Sequence, residues 1–226
     1  MLVLAFDTAT AAITVALYEW TPGEGAVRRG AAEAVDRRRH TELLTPSIAN
    51  VMAEAGAAPE DLSAIAVGVG PGPYTGLRVG LVTARSMGDA LSIPVHGVCT
   101  LDVIAWATGR EEPFAVATDA RRKEVYWARY HSFRARATEP AVGPPADVLD
   151  GAPQALPVVG EGAALYADDL GDSAHEPLLP TAGALAELAV ARLAGLKVPA
   201  LLPPEPLYLR RPDAKEPGPR KKVTPA

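Results

Sequence analysis

Two segments of this chain, LVLAFDTATAAITVALY (Leu2 to Tyr18) and FAVATDARRKEVYWARY (Phe114 to Tyr130), lie over one another without a gap. Each reads as an apolar strand ending in aspartate, a short turn, and a return strand with alternating apolar positions. Asp7 falls on Asp119, Ile13 on Val125, Ala16 on Ala128 and Tyr18 on Tyr130. Alternating hairpins do match by chance, but an internal duplication is the more economical account. It predicts two related α/β lobes with a boundary near Thr108 to Pro113: residues 1–110 as an N-terminal lobe and 111–210 as a smaller C-terminal one. Two aspartates facing each other across the intervening cleft could hold a hydrated Mg²⁺ and the phosphates of a nucleotide.

The rest of the chain fills in around these hairpins. Val27 to Ala34 continues the first hairpin into a meander. His40 to Ala55 reads as a helix, with Leu43, Leu44, Ile48, Val51, Met52 and Ala55 at helical spacing and Gly56 as its stop. Thr45 and Pro46 are either a cap with Pro at the first helical position or a kink in a helix begun near Thr41. A strand at Ile65 to Val69, a helix at Tyr74 to Leu91, a strand at Pro94 to Cys99 and a short helix at Leu101 to Ala107 complete the first lobe. The second has strands near Phe114 to Thr118, Glu124 to His131 and Leu156 to Val159, and a helix at Thr181 to Leu196 capped by Thr181. The segment 211–226, with four prolines and a basic end, is expected to be a mobile tail whose basic end could touch phosphates.

The stretch AVGVGPGPYTGLRVG (Ala66 to Gly80) has the strand-turn-helix setting of a phosphate-binding loop. Its residues argue for a rigid joint instead. A Walker A loop needs a lysine, and the first lysine here is Lys123. The dinucleotide fingerprint fails because Gly68 and Gly70 are followed by Pro73 where the third glycine belongs. Pro71 and Pro73 also remove two N–H donors from the cradle.

Composition closes other routes. A net charge of −5 gives no reason to expect strong binding of nucleic acid by this chain alone. The basic clusters, including Arg37 to Arg39 and Arg121 to Lys123, read as solvated surface. Cys99 is the single cysteine, which excludes internal disulfides and thiolate zinc sites and fits a reducing cytoplasm. Met1 to Leu17 lacks a basic leader and carries Asp7, Thr8 and Thr10, so it reads as strands and not as a signal peptide. No long uncharged apolar run suggests a membrane span. There is no Gly-x-Ser-x-Gly elbow, nothing near Cys99 suggests an activated thiol, and no catalytic or metal-binding residue is assigned.

The paired hairpins resemble those of the actin, hexokinase and heat-shock ATPase superfamily, whose fold is of the duplicated ribonuclease H-like kind. In those ATPases the turn after the first aspartate is rich in glycine, whereas here it reads Thr8, Ala9, Thr10, Ala11, and the turn after Asp119 reads Ala120, Arg121, Arg122. A closer resemblance spans nearly the whole chain. FDTAT (Phe6 to Thr10), HTELL (His40 to Leu44), GVGPGPYTGLRVG (Gly68 to Gly80), DARRKEVYWA (Asp119 to Ala128), VVGEGA (Val158 to Ala163) and PLYLR (Pro206 to Arg210) resemble, in order, the bacterial TsaB family, also called YeaZ.

That resemblance implies a cytoplasmic, non-catalytic partner and activator of TsaD in the complex that forms N6-threonylcarbamoyladenosine at position 37 of tRNAs reading codons that begin with A. It implies a heterodimer with a TsaD-like protein, a larger complex with a TsaE-like ATPase, contact with tRNA through the complex, a homodimer when alone, and no membrane. No cofactor is expected to bind firmly, ATP and Mg²⁺ acting through the partner complex. It places the partner interface on two helices, through His40, Leu43, Leu44, Ser47 and Val51 on the first and Tyr74, Thr75, Gly76, Arg78, Gly80, Ala84 and Met87 on the second. A vestigial nucleotide site would comprise Asp7, Thr8, Thr10, Asp119, Arg121 and Gly160.

Two alternatives make different predictions. A TsaD-like transferase would carry a metal-binding histidine pair after the strand at Pro94 to Val98, but those positions fall on Gly97 and Leu101, with His96 alone beside them. His40, His131 and His175 show no ligand spacing. An independent small ATPase or kinase would use Asp7 and Asp119. Finally, Gly76, Gly80, Ala84 and Gly88 form a ridge of small residues on one helix, against which either a partner helix or the chain's own sheet packs closely.

Overall fold

The computed structural model describes residues 1–152, 156–171 and 176–210. The segment 211–226 and His175 lie outside the described residues. A first sheet is built from β1 (Leu2–Asp7), β2 (Ala12–Thr21), β3 (Gly25–Val35), β4 (Ala64–Gly68) and β5 (Val95–Val98). Its order is β3-β2-β1-β4-β5, with β1 to β3 an antiparallel meander and β4 and β5 parallel to β1. β1 and β4 are central and apolar on both faces, as expected of strands covered on both sides, whereas β3 is an edge and largely exposed.

One face of this sheet is covered by α1 (His40–Glu54) and α2 (Tyr74–Leu91). α1 begins at His40 and carries Pro46 inside it, which decides between the two readings of Thr45 and Pro46 in favour of the longer helix. Leu44, Ile48, Val51 and Met52 enter a core with Leu4, Phe6, Val15, Leu17 and Leu77. The opposite face takes α3 (Thr100–Thr108) and α6 (Ala182–Leu193), the latter capped by the Thr181 hydroxyl, which accepts from the Ala184 N–H at 3.2 Å. α6 packs on Val3, Ala5, Ala16 and Tyr18. A helix that the sequence reading assigns to the second lobe, Thr181 to Leu196, therefore covers the first sheet.

The second sheet repeats the first in shortened form. β6 (Phe114–Asp119) pairs antiparallel with β7 (Val125–Ser132) and parallel with β10 (Val158–Val159), while the short strands β8 (Ala135–Arg136) and β9 (Ala141–Gly143) both lie against β7. Thus β6, β7 and β10 stand to one another as β1, β2 and β4 do, which is the duplicated actin-like, ribonuclease H-like α/β fold. α3 serves both sheets: Val103 faces α6, while Leu101, Ile104 and Ala105 pack on Phe114, Val116, Ala128 and Tyr130. Asp102, fully buried on α3, accepts from the Tyr130 hydroxyl at 2.8 Å and from Arg136 Nε at 2.9 Å, an ionic pin between the two layers.

The gapless overlay of the hairpins fails at one point. Asp7 pairs with Thr14 across residues 8–13, but Asp119 pairs with Val125 across residues 120–124, one residue fewer. Val125 therefore takes the place of Thr14, Ala128 that of Leu17, and Tyr130 that of Glu19. A strand's side chains alternate between faces, so a gapless match would have put the return strand inside out. Among the described residues no helix is long and apolar enough to cross a membrane.

Candidate functional site

The β1–β2 and β6–β7 turns meet the N-terminus of α2 and the start of α4 (Glu161–Leu165), which the short α5 (Ala167–Leu170) follows, around a cavity of about 190 Å³. Its lining includes Thr8, Thr10, Arg37, His40, Thr75, Gly76, Asp119, Arg121 and Glu161. Pockets that enclose a drug-sized molecule run from about 300 to 1,000 Å³, so this one is small for a nucleotide.

The two aspartates share a local task. Asp7 Oδ1 accepts the Ala9 N–H at 2.6 Å, and Asp119 Oδ1 accepts the Arg121 N–H at 2.8 Å. Each folds its turn with a carboxylate bonded two residues on. Their surroundings then diverge. Asp7 is completely buried, and its Oδ2 accepts the Thr100 hydroxyl at 2.8 Å. A Cβ on Gly68 would fall 2.0 Å from that oxygen, so β4 needs glycine there to let the carboxylate lie flat against it. Burial pushes the Asp7 carboxyl above the usual aspartate range, against the opposing pull of the Ala9 and Thr100 hydrogen bonds and of His40. Asp7 does not line the cavity.

Asp119 does line it, and its Oδ2 lies 3.3 Å from Arg37 Nη1 and 3.5 Å from Arg121 Nη1. Arg37 Nη2 also reaches Glu161 Oε1 at 2.5 Å. Arg37 sits in the link between β3 and α1, where the Asp36 N–H bonds the Ala11 carbonyl and the Asp36 carboxylate takes the N–H groups of Arg38 and Arg39 at 2.8 and 3.1 Å. Those N–H bonds lower the Asp36 carboxyl. Glu161 is set by Gly160, whose φ is 101° and where an added Cβ would fall 2.4 Å from the Ala117 carbonyl, so a side chain is excluded. Gly160 is thus a positioning residue for Glu161. Sequence reasoning missed both Arg37 and Glu161: an arginine in a run of three reads as surface, and Glu161 lies between the two glycines of VVGEGA.

The turn after Asp119 holds Arg121, Arg122 and Lys123 all in the left-handed region, at φ 61°, 58° and 61°. Each such residue without glycine costs about 1 kcal/mol or more. Arg210 anchors the turn by bonding Glu124 and, at 3.1 Å, the Ala120 carbonyl.

The proposed interface residues divide. Leu44 and Val51 are spent on the core. His40 is buried, its Nε2 donating to the Thr10 carbonyl at 2.9 Å. Gly76, Gly80, Ala84 and Gly88 face inward: added Cβ atoms would meet the Thr8 carbonyl at 2.7 Å from Gly76, Thr8 Oγ1 at 2.5 Å from Gly80, and Val95 Cγ2 at 2.3 Å from Gly88, while Ala84 lies in the core. The ridge thus packs on the chain's own strands, which corrects its placement at a partner. The Thr8 hydroxyl explains it, donating to the Gly76 carbonyl at 2.8 Å and accepting the Gly80 N–H at 3.0 Å. It bridges the pair that closes one turn of α2, and glycine at both positions lets it in. Thr10 instead ties its own turn, its hydroxyl accepting the Ala12 N–H at 3.1 Å.

What the two helices leave outside is a surface of Thr75, Arg78 and Val82 on α2, bordered by the half-buried Ser47 on α1 and by Leu43 and Met87, which also pack partly on the core; the backbone of Tyr74 begins α2. Val82 is 63% exposed. Arg78 Nε donates to the Tyr208 hydroxyl at 2.9 Å.

The histidine-pair test has a physical answer. A Cβ on Gly97 would collide with the Pro203 carbonyl and Val69 at 2.5 Å, because residues 202–203 run along β5 there. Leu101 is fully buried. His96 is half-buried, and desolvation lowers its pKa. Among the described residues no group of three His, Cys, Asp or Glu side chains is placed to hold a metal.

Comparison with known proteins places these features in a family. Residues 33–168 match the family model described as TsaD, tRNA N6-adenosine threonylcarbamoyltransferase. An uncharacterized protein of Mycobacterium leprae is 46% identical over 95% of this chain, which spans 56% of that protein's length. The tRNA threonylcarbamoyladenosine biosynthesis protein TsaB of Escherichia coli is 32% identical over 93% of this chain and 95% of its own. The solved structure of YeaZ from Pseudomonas aeruginosa is 31% identical, with a TM-score of 0.75 over 92% of this chain and 99% of its own.

Proposed function

The chain belongs to the TsaB (YeaZ) family, and we propose that it acts in tRNA threonylcarbamoyladenosine biosynthesis as the non-catalytic partner and activator of a TsaD-type transferase. The observation that carries the non-catalytic half is the fate of the two aspartates. Asp7 is sealed beneath the turn and Asp119 is paired with arginines, so among the described residues the two hairpins present no free carboxylate pair to a metal-bound phosphate. The same geometry counts against an independent ATPase or kinase using Asp7 and Asp119.

In this reading the outer surface of α1 and α2 receives the transferase, and a second copy of this chain when the transferase is absent. A TsaE-like ATPase and tRNA, the latter from the group reading codons that begin with A, join through the complex. ATP and Mg²⁺ act there, and the protein works in the cytoplasm.

Reconstitution tests this directly. With the transferase, the ATPase, tRNA and a threonylcarbamoyl donor, modified adenosine measured by mass spectrometry should vanish when this chain is omitted and should not form with this chain alone. Product from the chain alone, or undiminished product without it, would overturn the proposal. Val82→Asp should abolish co-elution with the transferase and leave the chain's own melting temperature unchanged.

A further inference from the structure

The superfamily arrangement calls for a divalent cation between carboxylates at the mouths of the two hairpins. The residues here do not fit one. Asp7 is turned away into the protein, its oxygens taken by the Ala9 N–H and the Thr100 hydroxyl. The carboxylates that do reach the cleft, Asp119 and Glu161, both end on the Arg37 guanidinium, at 3.3 and 2.5 Å.

We propose that Arg37 is an internal cation: it fills the place between Asp119 and Glu161 that a divalent ion would take, and it latches the second sheet to the first across the cleft. Three features place it. Asp36 pins the link by bonding back to Ala11 and taking the next two N–H groups, which leaves the Arg37 side chain directed across the gap. The glycines flanking Glu161 press the start of α4 onto Ala117, at 2.4 Å for a Cβ on Gly160 and 2.9 Å for one on Gly162, bringing that carboxylate to the same cleft. Asp119 is held by its own turn, with Oδ1 on the Arg121 N–H and Oδ2 left for the guanidinium groups.

Charge completes the case. Among the described residues lining the cleft, Arg37 and Arg121 stand against Asp119 and Glu161 as a balanced set. A guanidinium offers two parallel N–H edges, which suits two carboxylates on different elements, the end of β6 and the start of α4. The Arg37 side chain is 41% exposed, so water screens the pairs and melting temperature is a poor reporter. Cation binding and amide exchange are better ones.

The experiment measures Mn²⁺ binding to the full chain by electron paramagnetic resonance at fixed ionic strength. Arg37→Ala should bind Mn²⁺ at least about tenfold more tightly than the wild type, since it removes a positive charge from between two carboxylates. Arg37→Lys, which keeps the charge, should show no gain, and Arg37→Ala with Asp119→Asn should lose it. The amides of residues 120–124 should exchange faster in Arg37→Ala and slow again on adding Mn²⁺. Arg37→Gln serves the same test if the alanine variant does not fold. Unchanged Mn²⁺ affinity in the folded charge-removal variant, or a gain that survives both Asp119→Asn and Glu161→Gln, would overturn the proposal.

Discussion

Replacing Gly80 by alanine adds one methyl group to the middle of α2, and the intrinsic preference of a helix for alanine over glycine, about 1 kcal/mol, favours the change. The tertiary setting opposes it. The new Cβ would lie 2.5 Å from Thr8 Oγ1 and 3.7 Å from Val67 Cγ2, so Thr8 must move by roughly an ångström to reach an ordinary contact. It has nowhere to go: Thr8 is 1% exposed and its hydroxyl is engaged on both sides by α2 backbone groups. Two hydrogen bonds worth about 0.5 to 1.5 kcal/mol each are at risk, together with an overpacking cost of about 1 to 3 kcal/mol. With the helix preference set against these terms, the expected net loss is about 1 to 5 kcal/mol, or roughly 2–20 °C in melting temperature for a chain of this size.

Urea unfolding of a double-mutant cycle isolates the cause. In a Thr8→Ala background the obstacle is gone, so Gly80→Ala should become neutral or stabilising, with a coupling of roughly 2 kcal/mol or more between the sites. A stabilised Gly80→Ala single variant, or a coupling within about 0.5 kcal/mol of zero, would refute the account of the ridge.

Other perturbations follow from the same geometry. Because burial raises the Asp7 carboxyl in the folded state, its contribution is favourable below the unfolded value and is lost as pH rises through the folded one; Asp7→Asn should therefore gain on the wild type as pH rises above the ordinary aspartate range in urea titrations, and a constant difference would contradict this. Asp102→Ala leaves Arg136 and the Tyr130 hydroxyl without their buried acceptor and should cost about 3 to 5 kcal/mol by chemical denaturation, a loss below 1 kcal/mol showing the pin to be idle. Burial also pushes the Cys99 thiol far up, so it should react with a disulfide reagent only at the rate of unfolding, and rapid native labelling would show the site to be open. ATP turnover should stay at background with and without Mg²⁺; a rate near one per second abolished by Asp119→Ala would restore the ATPase reading.

The parts of the fold legible in the sequence were those whose signal is local. The glycines and prolines between β4 and α2 punctuate the chain sharply enough that Tyr74 to Leu91 reads as a helix at both ends. Alternation in β2 and β7 did the same for the hairpins. The direction of the glycine ridge was not local: its four-residue spacing reports a close neighbour without naming it, and the neighbour is Thr8. The placement of α6 was hidden for a similar reason, since its apolar stripe suits the face of either sheet. Arg37 was hidden among its neighbours, because Asp36, not composition, decides which arginine of the three reaches across the cleft.

The aspartates also show why a cleft with the superfamily's outline persists independently of any ligand. In both hairpins the carboxylate closes the turn on an N–H two residues on, a task that serves folding whatever the cleft holds. That task uses one oxygen and leaves the second available. At Asp7 the second is consumed by Thr100 at the start of α3, tying the first turn to the helix both sheets share. At Asp119 it is consumed by Arg37, tying the second turn to the link before α1, one of the two helices whose outer surface is proposed to meet the partner. Movement of α1 on binding would therefore reach Asp119 through Arg37 and Asp7 through His40 and the Thr10 carbonyl, with no ligand in the cleft.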